Sequence, residues 1–253
     1  MIQEIKLIFT ALMFYSRIPV PKSTGYSDEQ LNKATRYFPL VGIIVGCIGA
    51  LVFVGVHHFL SVHISVLAAM ISLILITGAF HEDALSDFCD GFGGGYTKEK
   101  ILSIMKDSRI GTYGAVGLVM LLLSKFVLIS EIDVVKIPFV LIAAHAVSRA
   151  NTVLLIYTSH YVRVDDSSKS KPIGQKHSWG SIVIAMIIGL LPLCLIAYIY
   201  IPVIIGAMLL IFAYFRYYVK KVIGGYTGDV LGALQQISEI GFYVVFLICC
   251  KLL

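Results

Sequence analysis

Six apolar blocks, each close to the ~20 residues that carry a helix across a ~30 Å hydrocarbon core, decide what this chain can become. They run from Tyr37 to Leu60, Val62 to Phe80, Ile110 to Ser130, Ile137 to Tyr157, Ser181 to Ile199 and Pro202 to Val219. Two weaker segments flank them, Ile2 to Tyr15 and Ile240 to Leu253, both short for a crossing and expected to tilt, dip in or lie at the surface. Composition agrees, since 58% of the 253 residues are hydrophobic, 14% are charged and the mean hydropathy is +0.89, more apolar surface than a soluble core hides. The expectation is an all-α, polytopic helical membrane protein with about six to eight membrane segments, residues 1–253 forming one membrane domain. Glu4 and Lys6 interrupt the first apolar stretch and no small-residue cleavage site follows, so residue 1 is expected as the mature start.

Short loops rich in Lys and Arg stay cytoplasmic, and here the loops alternate. Arg17, Lys22, Lys33 and Arg36 precede the first strong block; Lys98, Lys100, Lys106 and Arg109 separate the second and third. Arg163, Lys169, Lys171 and Lys176 follow the fourth, and Arg216, Lys220 and Lys221 follow the sixth. The opposite connections carry almost no positive charge. The basic loops are therefore expected on the cytoplasmic face of a prokaryotic cytoplasmic membrane. The net charge of +5 then reflects topology, and the same surface suits anionic lipid and phosphorylated substrates rather than nucleic acid.

The five cysteines, Cys47, Cys89, Cys194, Cys249 and Cys250, show no spacing of a zinc site or disulfide framework. His57, His58 and His63 cluster on the less basic side without a carboxylate or cysteine, as an interfacial turn does.

The chemistry concentrates in His81 to Gly95, which reads HEDALSDFCDGFGGG at the cytoplasmic end of the second block. If the helix continues through it, Asp83, Asp87 and Asp90 fall within an arc of about 60° on one face. Three like charges on one face repel one another beside a membrane, and a divalent cation removes the repulsion. Carboxylate oxygens suit Mg²⁺, which commonly takes a few carboxylates together with substrate phosphates. Glu82 lies to one side of that face, as a further ligand or a supporting group. Gly91, Gly93, Gly94 and Gly95 end the helix and let backbone amides approach an anion. Thr97 then caps a short amphipathic helix expected from Lys98 to Lys106, which returns Lys106, Asp107, Ser108 and Arg109 toward the acids. Lys106 and Arg109 are natural phosphate holders and Asp107 is a fourth carboxylate candidate. The bland alternative is a solvated charged loop with a glycine hinge.

Four segments carry a family resemblance: FYSRIPVP at Phe14 to Pro21, RYFPLVGIIVG at Arg36 to Gly46, HEDALSDFCDG through KDSRIGTYG at His81 to Gly114, and GGYTGDVLGA at Gly224 to Ala233. Together they resemble cobalamin synthase, the membrane enzyme family also called adenosylcobinamide-GDP ribazoletransferase. Ala84 stands where that family is expected to favour glycine and Ser86 where alanine is usual; both are small and leave the acid face intact.

The resemblance implies that α-ribazole, or its 5′-phosphate, is joined to adenosylcobinamide-GDP with release of GMP, and that Mg²⁺ is the cofactor. In that reaction Asp83, Asp87 and Asp90 would hold metal, with Glu82 beside them, and Lys106 and Arg109 would clamp the phosphates. Arg17 and Arg36 would hold guanylate or anionic parts of the corrinoid. His81, Asp90 and Asp107 are the candidate bases. In the fourth segment Asp229 either caps the helix that continues through Leu231 or faces the acid cluster. Arg149, near the end of the fourth block, faces a cavity or snorkels to the surface.

Two rival functions use the same features. Another membrane transferase acting on a diphosphate, of the CDP-alcohol or prenyl type, also sets Mg²⁺ between helix-borne acids. An ion-coupled transporter would place its carboxylates near the midplane on interrupted helices, whereas these stand at the end of a block beside a basic loop. Neither accounts for the other three matching segments. A second copy of the chain, as a homo-oligomer, is among the expected partners.

Overall fold

The computed structural model describes residues 2–162 and 179–253; Arg163, Lys169, Lys171 and Lys176 lie outside them. The helices follow in the order α1 (Ile2–Tyr15), α2 (Asp28–Ala34), α3 (Phe38–His57), α4 (Val62–Thr77), α5 (Phe80–Gly94) and α6 (Lys98–Ile104), then α7 (Thr112–Ser130), α8 (Ile137–Thr158), α9 (Trp179–Leu190), α10 (Ile201–Ile223) and α11 (Gly228–Leu252). Among the described residues the one departure from helix and loop is an isolated parallel bridge between Tyr161 and Tyr226.

Five stretches are long and apolar enough to cross a membrane: Asp28–His57, Thr112–Ser130, Ile137–Thr158, Tyr198–Ile223 and Gly228–Leu252. α4 and α5 together make a sixth only as a pair bent by 86°. The fold is the expected all-α polytopic membrane architecture, with three corrections to the segments. The C-terminal block is no short flank but the end of the 25-residue α11. Gln235, Gln236, Ser238 and Glu239 interrupt its apolar pattern, yet all four are buried inside the bundle, so lipid never meets them. The block from Ser181 to Ile199 is not one helix: α9 stops at Leu190, a 3-10 turn with Pro192 follows, and Ile196 is extended.

The third correction concerns the second block, whose helix does not run on into the acids. α4 closes on Gly78 in the left-handed region, φ +67°, with Gly78 N–H donating to Leu75 O at 3.2 Å and Ala79 N–H to Ile74 O at 2.9 Å. This is the Schellman pattern that ends helices. Ala79 is also left-handed, φ +57°, and α5 leaves in a new direction. Arg17 fixes the bend. Its N–H donates to Ile76 O at 2.7 Å, and its guanidinium occupies the space into which a Cβ on Gly78 would project.

α8 is the hub of the bundle. In its 18-residue apolar stretch 83% of the residues are buried, against 17% in that of Tyr198–Ile223 and 22% in that of α7, whose remaining surface is left for lipid. Small residues on α3 let it approach: a Cβ on Gly46 would stand 2.7 Å from the Cα of Ile142, and one on Gly42 would meet the carbonyl oxygen of His145. Between membrane helices such small-residue contacts supply packing that lipid cannot, and forcing in a methyl group costs about 1–3 kcal/mol. α11 closes on α5 the same way, with Gly232 against the Cβ of Ala84.

Candidate active site

The three acids of α5 share one helix but not one environment. Asp83 is exposed, Asp87 is half-buried and Asp90 is buried. Asp90 reaches across to the start of α7, where its Oδ2 accepts the N–H of Gly111 at 2.7 Å and its Oδ1 accepts that of Gly114 at 2.8 Å. Helix N-termini leave such amides unpaired and favour negative charge. Gly111 has no side chain to cap its own helix, so a carboxylate from another helix does the work. A Cβ on either glycine would collide with that carboxylate.

α5 ends at Gly94, as the glycine run requires, and Thr97 caps α6 by accepting the N–H of Lys100 at 3.3 Å. α6 is shorter than expected, ending at Ile104, and buries Ile101 with Met105 behind it. Asp107 and Arg109 then form a local fork: Asp107 Oδ1 accepts Arg109 Nε–H at 3.0 Å, and Oδ2 accepts an Nη2 hydrogen at 2.6 Å. The Arg109 guanidinium beside Asp107 holds that carboxyl down to about 2. Asp90, Ile104, Asp107, Arg109, Thr112 and Tyr113 line an open groove of about 520 Å³ at the start of α7.

Other expected residues stand elsewhere. Lys106 is exposed beside Asp107. Arg36 is bound to Glu4, which also accepts the hydroxyl of Tyr37, so that pair ties α1 to the entry of α3. Hydrogen bonds from Tyr37 and the charge of Arg36 hold the Glu4 carboxyl below its usual range. Arg17 is exposed beside the α4–α5 bend. Asp229 is not the cap of α11: Thr227 holds that position, accepting the N–H of Val230 at 3.3 Å, and Asp229 lies in the first turn. The hydroxyl of Thr227 donates to Asp229 Oδ2 at 3.4 Å. His81 is buried, stacked on Phe38 with ring centroids 5.8 Å apart, and lines the inner cavities rather than the groove.

Glu82 also points inward, and with it comes a set of residues that reading the sequence missed. Lys125 of α7 and Glu239 of α11, both buried, pair at 2.8 Å in the bundle interior. Glu239 accepts Gln235 Nε2 at 2.7 Å and the Tyr243 hydroxyl at 3.2 Å. Arg149 donates to the carbonyl of His145 at 2.9 Å and lies 5.4 Å from the centre of the Phe38 ring, so it faces the interior instead of snorkelling. A small cavity of about 20 Å³ remains among these groups and Glu82, about the room of one water. The available signal was charge within apolar blocks, which in membranes marks pairing or function.

Among the described residues no three of His, Cys, Asp and Glu stand close enough to form a metal cage. Mg²⁺ does not ask for one, since it keeps waters and is usually held by one or two carboxylates plus substrate phosphates. The hard oxygens of Asp83 and Asp87, one turn apart, fit that demand.

Comparison with known proteins gives the site its family. The sequence model of cobalamin-5-phosphate synthase matches residues 7–247. The adenosylcobinamide-GDP ribazoletransferase of Vibrio cholerae serotype O1 is 44% identical over 245 residues, 96% of this chain and 94% of that protein. The protein of the same name from Shewanella oneidensis is 46% identical over 253 residues, 97% of this chain and 95% of its own. No solved structure matches. With matches of this extent along nearly its whole length, the chain belongs to the cobalamin-5-phosphate synthase family.

Proposed function

We propose that the chain joins α-ribazole, or its 5′-phosphate, to adenosylcobinamide-GDP, giving adenosylcobalamin, or its 5′-phosphate, and GMP. The observation that carries this reading is the meeting of Asp90, the last of the α5 acids, with the Asp107–Arg109 fork on one concave surface at the start of α7. A ribose hydroxyl oxygen attacks the phosphorus that bears cobinamide, the P–O bond to the GMP phosphate breaks, and the hydroxyl proton is lost. Mg²⁺, when bound, neutralises the diphosphate and the departing phosphate.

Asp83 and Asp87 would hold that metal, and Asp90 would fix the distance between α5 and α7 while presenting its remaining lone pairs to the groove. Arg109, with Lys106 nearby, would grip phosphate oxygens at the mouth of the groove. Neither His81 nor Asp107 is set up as the base: the first does not line the groove, and the second, held at about 2, takes up a proton poorly. In this reading the loops with Arg36, Lys98 and Lys220 face the cytoplasm, where nucleotide substrates are made.

The test is direct. Purified protein in proteoliposomes, supplied with adenosylcobinamide-GDP, α-ribazole and Mg²⁺, should form a cobalamin and GMP in equal amounts. Folded protein that yields neither contradicts the proposal.

A further inference from the structure

α5 shows two faces to two different surroundings. Asp83 is exposed and Asp87 half-buried, while Glu82, 8% exposed, turns into the bundle, where its Oε1 accepts a hydrogen from Gln236 Nε2 at 3.1 Å. Gln236 follows Gln235, whose Nε2 reaches both Glu239 Oε2 at 2.7 Å and Ser148 Oγ at 3.2 Å. Glu239 in turn holds Lys125 at 2.8 Å. Glu82 thus stands at one end of a row of buried polar groups on α5, α11, α8 and α7, in which Gln235 and Gln236 are joined only through the backbone.

Gly232 rests on the Cβ of Ala84 so closely that no Cβ fits, which sets how near α5 and α11 lie. Asp90 holds the far end of α5 to the start of α7, and the Glu82–Gln236 bond holds the turn of the end nearer the bend. A shift by one residue would swing Glu82 by about 100° and leave Gln236 and a buried carboxylate unpaired. A pair of apolar side chains would fill this place at least as stably, so a polar pair is best accounted for by the register it specifies.

We infer that Glu82 is a positioning residue and no metal ligand: through Gln236 it holds the rotational setting of α5 and so the direction of the acid face. This rests on the reading that the acid face is the site of transfer.

Four variants test it: Glu82→Leu, Glu82→Gln, Gln236→Glu, and the exchange Glu82→Gln with Gln236→Glu, which rebuilds the bond with its ends reversed. Turnover, the KM for adenosylcobinamide-GDP and the Mg²⁺ concentration for half activity are measured, and Mn²⁺ binding is followed by electron paramagnetic resonance without substrate. Glu82→Leu should lower kcat at least ~10-fold with KM and Mn²⁺ affinity within about two-fold of wild type, as misplacement of intact ligands does. The exchange should bring kcat back to within about three-fold of wild type, as coupled neighbours do. If Glu82 were a ligand, Glu82→Gln would weaken Mn²⁺ binding ~10-fold or more and the exchange would leave it weak, which overturns the inference. Unchanged kcat per folded molecule in Glu82→Leu overturns it as well. Should Glu82→Leu fail to fold, the exchange and Glu82→Gln still decide. An inactive wild type would instead sink the functional reading on which the inference stands.

Discussion

Asp90 and Gly114 are joined across two helices, the carboxylate of α5 accepting the N–H of the first turn of α7 at 2.8 Å. The contact makes Asp90 a structural residue as well as a candidate ligand, and it separates Asp90 from Asp83 and Asp87. Asp90→Ala should therefore lower the unfolding free energy of the metal-free protein by about 1–3 kcal/mol, the cost of leaving buried donors unpaired. Asp83→Asn, at an exposed carboxylate, relieves repulsion between like charges and should leave metal-free stability equal or slightly higher. Thermal unfolding in detergent with and without Mg²⁺ checks both; equal loss in the two variants would return Asp90 to the same role as Asp83.

The Lys125–Glu239 pair is buried in the bundle interior, where an unpaired charge is poorly solvated. Glu239→Leu alone should destabilise by about 3–5 kcal/mol, and adding Lys125→Met should recover a large part of that loss. Denaturation of the single and double variants measures the difference. Additive losses would show that the two charges are independently solvated.

Arg109→Lys should not behave as a conservative change, because Lys keeps the charge but loses the planar fork that Asp107 and a phosphate both use. The KM for adenosylcobinamide-GDP should rise about ten-fold with kcat less affected. The Asp107 carboxyl should move from about 2 toward its ordinary value of 3.8. A depressed carboxyl contributes stability that is present above its unfolded value and lost as pH falls through the folded one. For the wild-type fork that window lies between 3.8 and about 2, below any working pH. Carbon-13 titration of Asp107 in the two proteins reads the shift; identical curves would mean that the fork does not persist in solution.

The left-handed Gly78 sits under the guanidinium of Arg17 at the bend between α4 and α5. Gly78→Ala meets both a strained backbone and that side chain, and should cost about 1–3 kcal/mol with turnover reduced through the moved acid helix. Ala79→Gly relieves the neighbouring left-handed residue and should be neutral to stabilising by up to about 1 kcal/mol. The reverse order of stabilities would count against the bend.

What the sequence disclosed follows the range of the interactions. The four apolar blocks that became α3, α7, α8 and α10, the glycine stop after α5 and the Thr97 cap are local signals, and each appears in the fold. The 86° bend was hidden because Gly78 sits inside an apolar run, where it reads as one more small residue. In the sequence Asp90 groups with its helix neighbours, whereas its partners are 21 and 24 residues away. The interior chain was missed because Glu82 and Gln236 are 154 residues apart and Lys125 and Glu239 stand on separate helices.

If Asp83 and Asp87 hold the metal on which transfer depends, the most direct measurement is turnover of Asp83→Asn and Asp87→Asn against Mg²⁺ concentration in reconstituted membranes. Each should lose at least ~10²-fold in kcat at ordinary Mg²⁺ and regain part of it as Mg²⁺ is raised, with the fold intact. Turnover within two-fold of wild type in both variants, at every Mg²⁺ concentration, would contradict the assignment of this face as the metal site.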